Sequence, residues 1–258
     1  MSFKMEMKRK TILFDLDGTL LPMDMAAFEK AYFAGLCKKM AEHIEPKALY
    51  HHIWEGTKRM IRNDGKKTNQ EVFQTYLNEH TPLNYDVCEP TFLDYYEHEF
   101  QDCVMACQIS ERSRKIIDVL QEKGYRTAIA TNPIFPQIAT DSRLKWLGID
   151  PARFPLVTTF EHSHHAKPDP RYYQEVCERL QVNPHDCVMV GNDVIEDGVA
   201  ATLGMRVMFI TDCLLHEEKL SEVDHEMGTL AEFHEWCLQL QKPDQWMVPI
   251  DHKHEFFV

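Results

Sequence analysis

Residues 11–20 read Thr11-Ile-Leu-Phe-Asp15-Leu-Asp17-Gly18-Thr-Leu20. A short apolar run that stops abruptly on an acid marks a buried strand whose C-terminal end carries function. Alternate residues of an extended chain share a side, so Asp15 and Asp17 point the same way, and Gly18 lets the chain turn sharply after them. Two carboxylates this close repel each other and lose hydration. The pair therefore calls for a bound cation or a catalytic use. One carboxylate can attack as a nucleophile, while its neighbour, its proton affinity raised by local negative charge, can give and take a proton.

Working outward, two more apolar runs end the same way: Thr127–Ala130 before Thr131, and Cys187–Val190 before Gly191. Arg206–Ile210 reads as another strand. Helical patterns lie between them, at Glu111–Lys123, Ile134–Leu147, Pro170–Leu180 and Glu196–Leu203, three of them closed by Gly124, Gly148 and Gly204. Strands alternating with glycine-capped helices imply right-handed βαβ units and an α/β fold built on a doubly wound, Rossmann-like parallel sheet. From Met25 to about Cys107 the pattern is helical only, at Met25–His43, Pro46–Asn63, Gln70–Asn78 and Pro90–Cys103. This divides the chain into a discontinuous core, residues 1–21 and 108–258, and an inserted all-helical domain, residues 22–107. A last helix is expected at Thr229–Gln241, before a proline-containing tail.

Composition narrows the partners. The 258 residues carry 28 Lys plus Arg against 41 Asp plus Glu, a formal charge of −13. That excess of acid argues against a nucleic-acid binder, which must displace counterions from phosphate backbones. No apolar run approaches the ~18–20 residues that span a bilayer, and MSFKMEMKRK has no hydrophobic stretch behind its charges, so no membrane segment or secretory signal is expected and the reading is cytoplasmic. The eight cysteines are scattered, and reduced thiols are the default. Cys103 with Cys107, and His162 with His164 and His165, lack the second pair that finger-type zinc spacing requires.

The stretch FDLDGTL resembles the first motif of the haloacid dehalogenase-like hydrolases, most of which are magnesium-dependent phosphatases. The later motifs of that superfamily match, in order, Thr131 followed by Asn132, Lys167 in AKPDP, and Asp193 and Asp197 in GNDVIED. The resemblance implies that Asp15 attacks phosphorus to form an aspartyl-phosphate, and that Asp17 protonates the leaving oxygen and then activates water. It further implies that Thr131, Asn132 and Lys167 bind the phosphoryl oxygens, and that Mg2+ is held by Asp15, the Asp17 carbonyl, Asp193 and Asp197. Many relatives carry Asp directly after the glycine of the last motif; here Asn192 holds that place, leaving open which of Asn192 and Asp193 faces the metal. Taken singly, Thr131 also reads as a helix cap, Lys167 as a surface lysine, and Asp197 as an acid at a helix N-terminus.

By the same resemblance the helical insertion is a cap that closes over the site and selects a small phosphorylated substrate. Between Leu36 and Asn69 it has eight Lys or Arg against four acids. His51, His52, Trp54, Lys58, Arg59 and Arg62 lie in one of its helices. Arg59 and Arg62 are the expected contacts for a second anionic group on the substrate. The expected activity is phosphomonoester hydrolysis. A phosphomutase, a dehalogenase, a phosphonate hydrolase using a cap lysine, and a non-catalytic phosphate-binding protein are the alternatives, and oligomeric state is left open.

Overall fold

The computed structural model describes residues 10–243. Its elements in chain order begin with β1 (Thr11–Phe14), then four helices, α1 (Met25–Lys39), α2 (Pro46–Ile61), α3 (Asn69–His80) and α4 (Tyr85–Glu97), and a 3-10 segment, Glu99–Ala106. There follow α5 (Glu111–Glu122), β2 (Arg126–Ile129), α6 (Gln137–Trp146), α7 (Pro170–Leu180), β3 (Cys187–Gly191), β4 (Arg206–Ile210), β5 (Glu226–Gly228) and α8 (Leu230–Gln239). The strands form one sheet in the order β2-β1-β3-β4-β5, with every neighbouring pair parallel. This is the expected α/β, Rossmann-like arrangement.

Both faces of the sheet are buried, which explains why β1 is apolar without alternation. Ile12 and Phe14 pack with α5 and α8, whereas Leu13 faces Tyr173 and Val176 of α7 on the opposite side. The register aligns Phe14 with Ile129 on one side and with Val190 on the other. Chain continuing past these three positions therefore emerges together at one edge, bringing Asp15, Thr131 and Asn192 close.

The helical insertion leaves and rejoins the sheet by two adjacent connections: Asp24 N–H donates to the Ala106 carbonyl (2.9 Å) and Gln108 N–H to that of Pro22 (2.7 Å). α3 is tied down onto core loops. Asn69 and Gln70 donate through their backbone N–H groups to the carbonyls of Ser163 and Phe160, and Asn69 Nδ2 donates to that of Pro133. The interior of the insertion is aromatic, with Tyr95 Oη donating to the Tyr32 carbonyl (2.8 Å).

Several elements differ from the sequence reading. α4 begins at Tyr85 and carries Pro90 inside it. The buried series Tyr85, Cys88, Phe92, Tyr95, Tyr96 keeps helical spacing straight through the proline, so packing outweighs the missing N–H. α6 starts at Gln137, because Pro136 stands at its N-cap. The helix expected over Glu196–Leu203 is a 3-10 segment, Gly198–Leu203, preceded by a turn that Asp193 Oδ1 organises by accepting from the Ile195 and Glu196 N–H groups. β5 is three residues long and leaves no hydrophobic pattern to read. Among the described residues no helix is long and apolar enough to cross a membrane.

Candidate active site

The end of β1 is shaped by Gly18. Its φ of +82° suits a residue without Cβ, and a Cβ there would lie 2.3 Å from Asn192 Nδ2. The turn presses the Asp15–Thr19 loop onto the end of β3, where Thr19 Oγ1 donates to Asn192 Oδ1 (2.8 Å). Asn192 Nδ2 in turn donates to the Cys213 carbonyl (2.8 Å), so its amide is engaged at both ends.

Asp15 lies in the floor of a cavity of about 290 Å³. Lys167, with no solvent exposure, donates to Asp15 Oδ1 (2.8 Å) and Asp197 Oδ1 (2.6 Å). It is therefore no surface lysine. Burial alone would lower its proton affinity, yet the two carboxylates hold it well above the ordinary lysine range. Asp197 Oδ2 accepts from the N–H groups of Asn192 and Asp193 (3.0 Å each). Gly191 allows that approach, since a Cβ on it would fall 2.0 Å from Asp197 Oδ2. Asp197, expected as a metal ligand, thus has both oxygens committed to bracing Lys167 and the loop after β3. Asp193 lines the cavity and uses Oδ1 for the following turn and for His216 Nδ1 (2.9 Å), leaving Oδ2 without a partner among the described residues.

Thr131 is in the cavity wall, and no hydrogen bond among the described residues uses its hydroxyl, while its carbonyl accepts from Thr158 Oγ1 (2.7 Å) and Tyr172 Oη (2.8 Å). Since α6 begins six residues later, Thr131 does not cap it. Asn132 Nδ2 spans both oxygens of Glu196 (3.0 Å each), and its Oδ1 accepts the Lys167 N–H (3.2 Å). This side chain ties the lysine loop to the loop after β3.

Two residues of the site went unread in the sequence. Arg143 of α6, fully buried, pairs with Asp17 Oδ2, donates to the Ala139 carbonyl and Thr140 Oγ1, and lies over the Phe135 ring at 4.6 Å. Glu196, in the cavity wall, has its carboxyl pushed up to about 8, chiefly by burial and secondarily by Asp193 and Asp197 working against Lys167. Burial likewise lifts Asp15 to about 7, with Lys167 opposing and Asp197 and Asp17 adding. Asp17 is raised by burial, with Arg143 and Lys167 countering. Its Oδ1 is buried without any hydrogen-bond partner.

α2 turns Ile53, Trp54 and Thr57 to the cavity. Arg59 and Arg62, the expected cap contacts, are not brought to it: both are exposed, and Arg59 lies over the Tyr76 ring at 5.5 Å. Arg59→Ala and Arg62→Ala are accordingly expected to leave KM for a phosphate ester within about two-fold of wild type, as for surface substitutions remote from a site. A steady-state titration checks this, and a KM raised several-fold would return either arginine to the site.

The sequence profile of the haloacid dehalogenase-like hydrolases matches residues 9–202, which spans Asp15, Thr131, Lys167 and the Asp193–Asp197 loop. The chain belongs to that family. As a haloacid dehalogenase-like hydrolase it is similar to the glyceraldehyde 3-phosphate phosphatase of Methanothermobacter thermautotrophicus, with 27% identity over 81% of this chain and 89% of the relative. It is also similar to (S)-2-haloacid dehalogenase 1 of Pseudomonas sp. strain CBS-3, 23% identical over 90% of this chain and 97% of the relative. Among solved structures, a phosphatase of the family from Thermococcus onnurineus shares the fold with a TM-score of 0.57 and 22% identity, over 90% of this chain and 99% of that one.

Proposed function

We propose that this hydrolase is a magnesium-dependent phosphomonoesterase working through an aspartyl-phosphate on Asp15. The observation that carries the reading is Asp15 in the cavity floor, one oxygen bound by buried Lys167, with Asp17 two residues on. Asp15 attacks phosphorus while the bond to the leaving oxygen breaks, and Asp17, its proton affinity raised by burial, donates the proton that oxygen needs. In the second step Asp17 takes a proton from water, whose oxygen attacks phosphorus and frees the Asp15 carboxylate. The Thr131 hydroxyl and Lys167 Nζ hold the phosphoryl oxygens through both steps.

The residues fit a divalent ion. Among the described residues no three His, Cys, Asp or Glu side chains are grouped to hold a metal, but Asp15, the Asp17 carbonyl and Asp193 need only two carboxylates beside a backbone oxygen, the donor type Mg2+ prefers. The partnerless Asp17 Oδ1 is a buried oxygen free to meet a cation, and the proton affinities of Asp15 and Glu196, raised chiefly by burial and further by the neighbouring carboxylates, show that their anions gain from added positive charge. When bound, Mg2+ supplies the positive charge that lets a phosphate dianion approach these carboxylates and that steadies charge on its oxygens.

A pH-dependent stability follows. Without metal, the folded chain holds protons on Asp15 (about 7) and Glu196 (about 8) that an unfolded chain loses near pH 4, so these groups make stability fall as pH rises through that window. Thermal melts in chelator are expected to show that fall, and Asp15→Asn to flatten it. Millimolar Mg2+ is expected to raise Tm more at about pH 8 than at about pH 5. A larger Mg2+ shift at the acid end contradicts the assignment.

The cavity wall also bears on the alternatives. Lys167 and Arg143 stand behind Asp15 and Asp17, and among the described residues that line the cavity itself there is no Lys, Arg or His to meet the rest of a substrate. A phosphonate hydrolase needs a cap lysine there, a 2-haloacid dehalogenase needs a cation for the substrate carboxylate, and a phosphomutase needs one for the far phosphate of a bisphosphorylated intermediate. The first test is phosphate release from p-nitrophenyl phosphate by wild type and Asp15→Asn, with Mg2+ and with chelator. Metal-dependent release lost in the variant supports the reading; release that survives in the variant or in chelator overturns it.

A further inference from the structure

The cavity above Asp15 has two chemically distinct halves. Its floor holds Asp15, Asp17, Thr131 and Asp193. Much of the rest of its lining is aromatic, with Tyr32 and Phe33 of α1, Trp54 of α2, Phe73 of α3, and Phe135 and Phe160 from core loops. These rings already pack on one another at the geometries aromatic side chains favour: Tyr32 meets Phe135 edge-on at 5.6 Å, Phe33 lies 6.2 Å from Trp54, and Phe73 lies 6.4 Å from Phe160. Among the described residues, the one Asp, Glu, Lys, Arg or His that the helical insertion contributes to the lining is an acid, Glu29, which accepts a hydrogen bond from Tyr50 Oη (3.1 Å). The basic excess of the insertion, Arg59 and Arg62 included, lies on its outside.

Accepting the phosphatase reading above, we infer that the leaving group this cavity takes is an uncharged, apolar alcohol carrying an aromatic ring. A second carboxylate or phosphate on the substrate would enter an aromatic wall with no cation to pair it and with Glu29 beside it, at a desolvation cost that nothing there offsets. Size agrees with this assignment. A cavity of roughly 150 Å³ admits benzene, so about 290 Å³ accommodates a phosphate and one ring. Trp54, 37% exposed, is the most exposed of these six aromatic residues, and it acts as a specificity determinant.

The test compares esters of primary alcohols, so that leaving-group reactivity does not decide the outcome: benzyl phosphate, phosphoglycolate, choline phosphate and methyl phosphate, each with Mg2+. Benzyl phosphate is expected to exceed phosphoglycolate in kcat/KM by about 100-fold or more, the penalty of an unpaired buried carboxylate. It is also expected to exceed choline phosphate. Trp54→Ala should raise KM for benzyl phosphate about 10-fold, leave methyl phosphate within two-fold, and be rescued by Trp54→Phe. Phosphoglycolate turned over as well as the benzyl ester, or choline phosphate preferred, overturns the inference. If no ester, p-nitrophenyl phosphate included, is hydrolysed, the phosphatase reading has failed. Calorimetric titration with benzylphosphonate and phosphonoacetate then judges the cavity separately: tighter benzylphosphonate binding upholds its apolar selectivity, and equal or weaker binding ends it.

Discussion

Asp15→Asn is expected to lower phosphate release by about 10,000-fold or more, since removing a nucleophile leaves only what positioning and binding contribute. The amide keeps the shape of the carboxylate, and its Oδ1 can still accept from Lys167 Nζ. Because burial disfavours the Asp15 anion in the metal-free chain, the substitution is expected to leave Tm in chelator unchanged or higher at about pH 8, despite the lost activity. Circular dichroism melts beside a single-turnover assay read both quantities. A variant retaining a tenth of wild-type turnover would mean that some other group attacks phosphorus.

Lys167→Met carries the opposite signature, losing activity and stability together. With the ammonium gone, Asp15 and Asp197 are left as two buried carboxylates without their shared cation, and breaking a buried pair from one side costs about 3–5 kcal/mol. For a chain of this size that is a fall in Tm of about 10 °C. Turnover is expected to drop about 1,000-fold, through loss of a donor to the phosphoryl oxygens. Lys167→Arg is expected not to restore it, because a guanidinium has no room between oxygens 2.8 and 2.6 Å from the present nitrogen. Combining Asp15→Asn with Lys167→Met should recover part of the stability, as the two sites share one interaction. Strict additivity in that double variant would place Lys167 outside the Asp15 network.

Much of this site can be read from the sequence because strand ends announce themselves. Thr11–Phe14 and Cys187–Gly191 are apolar on both faces and stop at polar residues, so the edge where Asp15, Thr131 and the Asp193–Asp197 loop gather follows from chain pattern alone. What the pattern cannot give is the partner of each carboxylate. Arg143 lies within a helix, where an arginine ordinarily points to water; its one signal is that helical spacing puts it on the stripe shared by Ala139, Thr140 and Leu144, all buried. Asp193 and Asp197 were legible as an acidic pair, yet their division of labour depends on which backbone amides the turn presents to them. Basic residues of the insertion were legible as charge and misleading as location, since Arg59 and Arg62 face outward while Ile53 and Trp54 of the same helix meet the cavity. Composition reports how much charge a segment has and says nothing of which side wears it.

The paired connections at Pro22–Asp24 and Ala106–Gln108 give the helical segment a property separate from anything it binds. Because its first and last residues are one hydrogen bond apart, the core closes no long loop to accommodate it and registers the segment much as it would a tight turn. Such an attachment makes the segment exchangeable for another helical unit whose ends are equally close, on condition that the new unit keeps contacts like those of Asn69 with the Pro133 and His165 carbonyls, which steady the loops carrying Thr131 and Lys167.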